Sequence, residues 1–286
     1  MVKTYGDMYL ELRNRLSEAG IAAAGLEARE MVCAAAGKRP EGFYRDRALY
    51  ASEEAALRLE DMALRRLGGE PVAYIIGEWD FMGLTFALNR SVLIPRADTE
   101  VLARRAIEMA GEIRGARVLD LCAGCGCIGI SVAKNVPDSR IVLADIDEAC
   151  LRAARWNARA HGLSARAVTI RCDARQEAPP MLGQFDIVCC NPPYIPTGEL
   201  NNLDDSVRLF EPMLALDGGR DGMDFFRSVA KNYSLCLKRG GHILFECGEL
   251  QARAVASILE RNGYINTEIL LDTAGIERVV TARYEG

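Results

Sequence analysis

Residues 116–129 read ARVLDLCAGCGCIG, and this stretch decides how most of the chain is interpreted. Its first half, ARVLDL, is a short apolar run typical of a buried strand. Its second half contains Gly124, Gly126 and Gly129, and glycines let a backbone turn tightly and pass close to a ligand. A helix that begins in such a loop favours negative charge at its N-terminus. The stretch therefore predicts a strand, a ligand-binding turn and a helix, a pattern shared by nucleotide and methyl-donor sites.

Further apolar runs follow along the chain, with helical patterns between them. Strands that alternate with helices predict an α/β domain with parallel pairing and right-handed crossovers. In such sheets ligands bind at the carboxyl ends of the strands, so the residues that follow each strand are the candidates for function. The runs are RIVLAD at 140–145, AVTIRC at 167–172, FDIVCC at 185–190, GHILFEC at 241–247, EILL at 268–271 and RVVTARY at 278–284.

The first part of the chain has a different pattern. Residues 1–76 show apolar positions at helical spacing and no strand pattern, which predicts a small helical bundle. In the third helix of this bundle the apolar face is predicted to consist of Ala56, Leu59, Ala63 and Leu67.

The period changes at residues 78–88, EWDFMGLTFAL, where apolar side chains alternate around Met82 and Gly83. This alternation predicts a β-hairpin connector. The expected organisation is a helical domain over 1–76, a hairpin linker over 77–92 and an α/β domain over 93–286.

Two aspartates follow predicted strands. Asp145 lies 19 residues beyond Gly126, where a carboxylate can accept two hydrogen bonds from a ribose diol. The alternative for Asp145 is a helix N-cap, although Asp147 is better placed to cap. Asp173 either accepts from an adenine amino group or is a solvated loop acid.

The fourth strand is followed by Asn191-Pro192-Pro193-Tyr194, the most informative tetrad in the sequence. The two prolines lack N–H donors and restrict the backbone, so the loop is stiff. A stiff loop presents the Asn191 side-chain carbonyl and the Pro192 main-chain carbonyl as fixed acceptors, beside the aromatic face of Tyr194. These groups together predict a receptor for a planar –NH2 group.

Composition limits the class of protein. The 286 residues are 50% hydrophobic and carry 35 basic against 40 acidic side chains, for a net charge of −5. Up to Glu78 there are 11 basic and 13 acidic residues, so no basic module for nucleic-acid phosphates is expected. No apolar run is long enough for a membrane span, and the start, MVKTYGDMYLELRNRL, lacks the apolar core of a signal peptide. Ten cysteines without such a signal predict reduced thiols and a cytoplasmic location.

The glycine loop, Asp145, Asp173 and NPPY, in this order, resemble the site of a class I S-adenosylmethionine (SAM) methyltransferase acting on an amino or amide nitrogen. Other stretches narrow the resemblance to the bacterial release factor glutamine methyltransferase family, over essentially the whole chain and more loosely over 1–70. One departure is Cys122, which occupies the position where the family often has the first glycine of its loop. The stretches are EPVAYIIGEWDF at 70–81, LIPRADTE at 93–100, LFEPMLALDGGRDGMDFF at 209–226, LFECGELQ at 244–251 and AGIERVV at 274–280.

The resemblance implies a Rossmann-like methyltransferase domain, a helical substrate-recognition domain, SAM as donor and S-adenosyl-L-homocysteine as product. The implied substrate is the glutamine of the Gly-Gly-Gln motif in class I peptide chain release factors, methylated on its side-chain amide nitrogen, with no metal. Asn191, Pro192, Pro193 and Tyr194 are expected to form the catalytic and substrate-binding group. The expected SAM-binding residues are Cys122, Ala123, Gly124, Cys125, Gly126, Asp145, Asp173 and Asn191.

Three alternatives stay open on the sequence alone. A DNA or rRNA amino methyltransferase would share the NPPY chemistry but would need a basic, aromatic target-reading surface. An NAD-dependent dehydrogenase would use the glycine loop and Asp145 but leaves NPPY unexplained. A SAM-binding adaptor without catalysis would not need an intact NPPY tetrad.

Overall fold

Two compact units make up the chain in the computed structural model, which describes residues 3–286. One unit comprises Met1–Glu78 together with Asp205–Phe210, and the other comprises Trp79–Asp204 and Glu211–Gly286. The first two residues of the predicted domain 1–76 lie outside the described part of the chain. The grouping of Asp205–Phe210 with the N-terminal residues is a feature that the sequence did not indicate.

The smaller unit is helical, and polar side chains fix where its helices begin. Thr4 and Asp7 form a reciprocal cap, in which the Asp7 N–H donates to Thr4 Oγ1 at 3.1 Å and the Thr4 N–H donates to Asp7 Oδ2 at 2.9 Å. Ser52 caps a later helix by accepting from the Ala55 N–H at 3.1 Å. The helices are α1 (Tyr5–Glu18), α2 (Ala24–Ala35), α3 (Phe43–Asp46), α4 (Glu53–Leu67) and α5 (Val72–Ile76), with the short α9 (Asp205–Arg208) in the same unit.

The predicted apolar face of α4 is partly wrong. Leu59 and Ala63 are buried as expected, but Ala56 and Leu67 are exposed. A helix buries the positions that lie within one stripe, and here Ala55 and Met62 complete that stripe. Apolar spacing alone does not reveal which edge of a broad stripe faces the core.

The larger unit holds a hairpin and a seven-stranded sheet, which confirms the predicted hairpin and α/β alternation. Along the chain, helices alternate with most of the strands of this sheet. The strands are β1 (Glu78–Phe81), β2 (Leu84–Ala87), β3 (Arg117–Leu121), β4 (Arg140–Asp145), β5 (Ala167–Arg171), β6 (Phe185–Cys190), β7 (Leu237–Glu246), β8 (Tyr264–Leu271) and β9 (Glu277–Tyr284). The helices are α6 (Thr99–Gly111), α7 (Cys127–Asn135), α8 (Glu148–Ala160), α10 (Asp224–Asn232) and α11 (Ala252–Arg261).

The strand order in the sheet is β5-β4-β3-β6-β7-β9-β8. The five strands from β5 to β7 pair in parallel, whereas β9 runs antiparallel to both β7 and β8. The chain builds outward from β3 to β5 and then returns to add β6 on the other side of β3. The order therefore reverses between β3 and β6, which is where ligands bind in open α/β sheets.

Buried aliphatic and aromatic side chains fill the space between the sheet and its helices. Phe226 of α10 and Phe245 of β7, both fully buried, meet edge to face with their ring centroids 5.2 Å apart. Within the described residues no helix has the length and apolar character needed to cross a bilayer.

Candidate active site

The loop after β3 leads into α7, whose backbone packs closely against strand β4. A Cβ on Gly129 would lie 2.6 Å from the Leu143 side chain, so only glycine lets α7 pack this near to β4. The Gly129 N–H donates to Oδ2 of the fully buried Asp120 at 2.8 Å. Burial raises the pKa of Asp120 to about 8, so this carboxyl is largely protonated at neutral pH. Cys122, at the departure from the family pattern, adopts a left-handed φ of 60° without being glycine.

Asp145, the last residue of β4, fastens this loop to the next strand. The Gly124 N–H donates to its Oδ2 at 2.9 Å, and the Asp147 N–H donates to its Oδ1 at 2.9 Å. Burial raises the pKa of Asp145, while these two donors lower it. Each carboxylate oxygen can accept a second hydrogen bond, so both oxygens remain available to a diol. The N-cap of α8 is Asp147, as the sequence favoured.

Asp173 lies two residues after the end of β5 and is held by local contacts. Its Oδ1 accepts from the Arg175 N–H at 2.9 Å, and its main-chain carbonyl accepts from the Tyr233 hydroxyl at 3.2 Å. The Arg175 guanidinium in turn lies over the Phe225 ring, 5.6 Å from the centroid. These contacts fix the β5 loop at the edge of the cleft described below.

The NPPY tetrad follows β6, at the other side of the switch point. The Asn191 side-chain amide donates to Thr99 Oγ1 at 3.3 Å. The carbonyl of Tyr194 accepts from Gln251 Nε2 at 2.8 Å, and Gln251 Oε1 accepts from the Gly248 N–H at 2.9 Å. Gln251 thus ties the tetrad to the loop after β7, which gives a structural role to the LFECGELQ stretch.

A second segment runs alongside the tetrad and clamps it. Ile195 donates to the Leu216 carbonyl at 3.0 Å, and its own carbonyl accepts from the Gly218 N–H at 2.9 Å. A Cβ on Gly222 would lie only 2.3 Å from the Tyr194 carbonyl oxygen. The glycines in LALDGGRDGMDFF therefore let two stretches of backbone pack directly against each other.

Glu211 joins the stretch that follows the tetrad to LIPRADTE. The Glu211 carboxylate, almost completely buried, pairs with the Arg96 guanidinium and accepts from the Ile94 N–H at 3.3 Å. A buried carboxylate with both a charged and a backbone donor is well satisfied. The pair fixes the start of the segment that clamps the tetrad.

The loops that follow β3, β4, β5 and β6, together with residues 212–215, border one open cleft with about 670 Å³ of empty space, its open mouth included. The predicted residues Cys122, Gly124, Asp145, Asp173, Asn191 and Pro193 line it. Ala123, Cys125, Gly126, Pro192 and Tyr194 are on the same loops without being among the lining residues. The remaining walls were not among the predicted site residues. They are Ser91, Leu93, Ile146, Asp147, Cys150, Cys172, Ala174, Arg175, Pro212, Leu214, Ala215 and Phe225.

The cleft-lining residues that were not predicted have few features in the sequence that would mark them as part of a site. Ile146 is an apolar side chain directly after a strand-end aspartate, and Pro212 begins the turn within a stretch already noted for the resemblance. Phe225 looks like an ordinary core position of an amphipathic helix. Apolar walls with two carboxylates suit a nucleoside, whose base needs flat apolar contact and whose ribose and amino groups donate hydrogen bonds.

The thiols show no sign of metal binding. All ten cysteines are free, and nine of them are buried. Cys122 and Cys190 bring their sulfurs within 4.0 Å of each other, and burial raises the pKa of the Cys190 thiol. Over residues 3–286 no group of three or more His, Cys, Asp or Glu side chains could hold a metal ion.

Two domain families and two curated relatives match this chain and show which family it belongs to. Residues 98–210 match the methyltransferase small domain, and residues 7–77 match the PrmC N-terminal domain. The release factor glutamine methyltransferase of Geobacter sulfurreducens is 38% identical over 274 residues, covering 95% of this chain and 93% of that protein. The chain belongs to the release factor glutamine methyltransferase family. A second member, from Bradyrhizobium diazoefficiens, is 36% identical over 276 residues, covering 95% of this chain and 92% of that protein.

A solved structure supports the fold that this family membership implies. The methyltransferase from Pyrococcus furiosus superposes with a TM-score of 0.54 and 14% identity, covering 79% of this chain and all of that one. At that identity the likeness concerns the fold alone. With the seven-stranded sheet and the helical N-terminal region, it confirms the predicted class I SAM methyltransferase fold.

Proposed function

We propose that this chain transfers a methyl group from SAM to the side-chain amide nitrogen of the glutamine in the Gly-Gly-Gln motif of class I release factors. The observation that carries the proposal is the placement of Asn191. Its side chain lines the same cleft as Asp145, and its amide nitrogen is already engaged by Thr99. The Asn191 carbonyl oxygen is therefore the atom left to accept hydrogen bonds from a substrate amide. Family membership supports the reaction, because the curated relatives carry the name of this activity.

The residues predicted from the sequence would hold SAM in this cleft. Asp145 would accept from the ribose hydroxyls, and Asp173 would accept from the adenine amino group. The backbone of Cys122 to Gly126 would lie along the amino-acid end of the donor. When bound, SAM supplies a sulfonium-activated methyl group, so the protein needs no strong base to start the reaction.

The tetrad would orient the substrate nitrogen and stabilise the positive charge that develops on it. Asn191 and the Pro192 carbonyl accept the two hydrogens of the glutamine amide, which points its nitrogen at the methyl carbon. Bound SAM would supply the methyl carbon and its sulfur would take the electrons of the broken bond, while Asn191 and the Pro192 carbonyl hold the attacking nitrogen in line. As the nitrogen becomes positive its hydrogens become stronger donors, so both acceptors stabilise the transition state more than the ground state. Pro193 stiffens the loop, Tyr194 shields the substrate amide, and a proton leaves to solvent.

We propose further that residues 1–76 form the substrate-recognition domain, 77–92 the linker and 93–286 the catalytic domain, acting in the cytoplasm. The products are the methylated release factor and S-adenosyl-L-homocysteine. Because the helical region has no excess of basic residues, a protein partner suits it better than a nucleic acid.

The test is transfer of labelled methyl from SAM to a purified class I release factor, followed by peptide mass mapping. We expect one added methyl on the glutamine of Gly-Gly-Gln. A release factor with that glutamine replaced by alanine is the matched substrate control, and total RNA and DNA are the control acceptors. Label on nucleic acid with none on the release factor would reject the proposal.

A further inference from the structure

A buried carboxyl lies directly behind the tetrad. Glu246 is the last residue of β7, and the register of the parallel β6–β7 pair joins Cys190 to Phe245. Asn191 directly follows β6 and Glu246 directly follows Phe245, so the two residues are neighbours at the carboxyl edge of the sheet. Glu246 is 2% exposed, and in the described part of the chain its Oε2 has no hydrogen-bond partner.

Thr99 completes a group of three polar side chains. It is the first residue of α6 and is as buried as Glu246. Its hydroxyl and the Asn191 amide both face the Glu246 carboxyl and lower its pKa, although burial dominates and raises the pKa to about 7. The Arg278 guanidinium, which is also held by Asp272 at 3.2 Å, lowers the pKa of this carboxyl as well, and the Asp98 carboxylate raises it.

The hydrogen-bonding capacity of Glu246, Thr99 and Asn191 determines how the Thr99 hydroxyl and the Asn191 amide are oriented. In its ionised form the Glu246 carboxylate has only acceptor oxygens, so it accepts hydrogens from both the hydroxyl and the amide. Thr99 has a single hydroxyl hydrogen, and when it points at Glu246 the hydroxyl oxygen can only accept from Asn191. If the Asn191 amide were turned over, its oxygen would face two acceptors, and a buried unpaired acceptor is costly. The Asn191 NH2 therefore faces inward and its carbonyl oxygen faces the cleft.

We propose that Glu246 is a positioning residue that acts through Thr99 to hold the Asn191 carbonyl toward the substrate amide. The proposal rests on the proposed function of Asn191 as an acceptor. Glu246 is not among the residues that line the cleft, so it would act on the substrate through Asn191 and not by direct contact. Glu246 and Thr99 lie in two of the stretches that carry the family resemblance, LFECGELQ and LIPRADTE, but the sequence alone does not show that they meet behind Asn191.

The first test is a double-mutant cycle on release factor methylation. Glu246→Met keeps the length of the side chain and removes the acceptor, so kcat should fall at least about tenfold, with SAM affinity within about twofold. Glu246→Gln keeps one carbonyl oxygen to accept from Thr99 and should restore kcat to within about threefold. In the Asn191→Ala background, Glu246→Met should change kcat by less than about twofold. The exposed Glu249→Gln is the matched control.

The second test does not depend on methyl transfer. In protein labelled with ¹⁵N-asparagine, the Asn191 side-chain NH2 signal is assigned by its loss in Asn191→Asp. Glu246→Met and Thr99→Val should shift this signal, whereas Thr99→Ser and Glu249→Gln should leave it in place. Thr99→Val serves as the test if circular dichroism shows that Glu246→Met does not fold.

An unshifted signal, or a loss of kcat that persists undiminished in the Asn191→Ala background, would overturn the positioning role. Absence of methyl on the release factor, with the signal shifted as expected, would instead count against the proposed function alone.

Discussion

Asp145 combines two tasks in one carboxylate. It holds the Gly124 and Asp147 amides, and it also faces the cleft where a ribose is expected. Charge-assisted hydrogen bonds contribute about 1.5–3 kcal/mol each, and about 1.4 kcal/mol corresponds to a tenfold change in affinity.

We expect Asp145→Ala to weaken SAM binding at least about tenfold by calorimetry. Glu148→Ala, which removes an exposed acid three residues further on, is the control and should bind SAM as the wild type does. Equal affinities for the two variants would show that Asp145 only supports the loop. A thermal melt of both variants separates lost binding from lost folding.

Asn191 can be tested by comparing its effect on turnover with its smaller expected effect on SAM binding. Asn191→Ala removes one oriented acceptor, and loss of one such group from a preorganised site lowers turnover by roughly two orders of magnitude. SAM binding should weaken by less than about tenfold. The exposed Asn201→Ala is the control. Turnover near the wild-type rate in Asn191→Ala would remove this residue from the mechanism.

At the scale of elements, the tetrad keeps its shape because a neighbouring segment clamps it. Gly222 has a φ of +74°, and a Cβ there would collide with the Tyr194 carbonyl, whereas Gly198 has no atom within 4 Å of such a Cβ. We expect Gly222→Ala to lower the Tm by about 2 °C or more and turnover by about tenfold or more. Gly198→Ala should match the wild type in both. Equal Tm and turnover in the two variants would show that the clamp does not shape the site.

The residues that follow each predicted strand include the main candidates for this site. Asp145, Asp173 and Asn191 each follow a buried apolar run, and parallel pairing brings the ends of such runs to one edge. The sequence could not indicate Thr99 or Glu246, because their proximity to Asn191 depends on which strands and helices become neighbours. The predicted buried face of α4 is partly wrong for a related reason. Helical periodicity is compatible with several adjacent apolar stripes, and only packing against neighbouring helices determines which one is buried.

At the scale of the whole molecule, buried acids make stability depend on pH. Burial raises the pKa of Asp120 to about 8 and that of Glu246 to about 7, whereas unfolded carboxyls titrate near pH 4. Between these values the unfolded chain has lost protons that the folded chain retains, so stability should fall as pH rises from about 4 to about 8.

Asp120→Asn removes one of these titrations while keeping an acceptor for the Gly129 N–H. We expect its Tm, relative to the wild type, to increase steadily from pH 5 to pH 8. Asp204→Asn, at an exposed aspartate, should keep a constant Tm difference over the same range. Parallel curves for Asp120→Asn and the wild type would show that Asp120 does not retain its proton on folding.

Because Asp205–Phe210 belongs to the unit of Met1–Glu78, the polypeptide passes from one unit to the other three times. The helical unit is thus encoded in two separate parts of the gene. Recombination between relatives at a single crossover near residue 78 would combine the helices of one parent with the hexapeptide of the other. We expect chimeras to fold only when the helices and the hexapeptide come from the same parent.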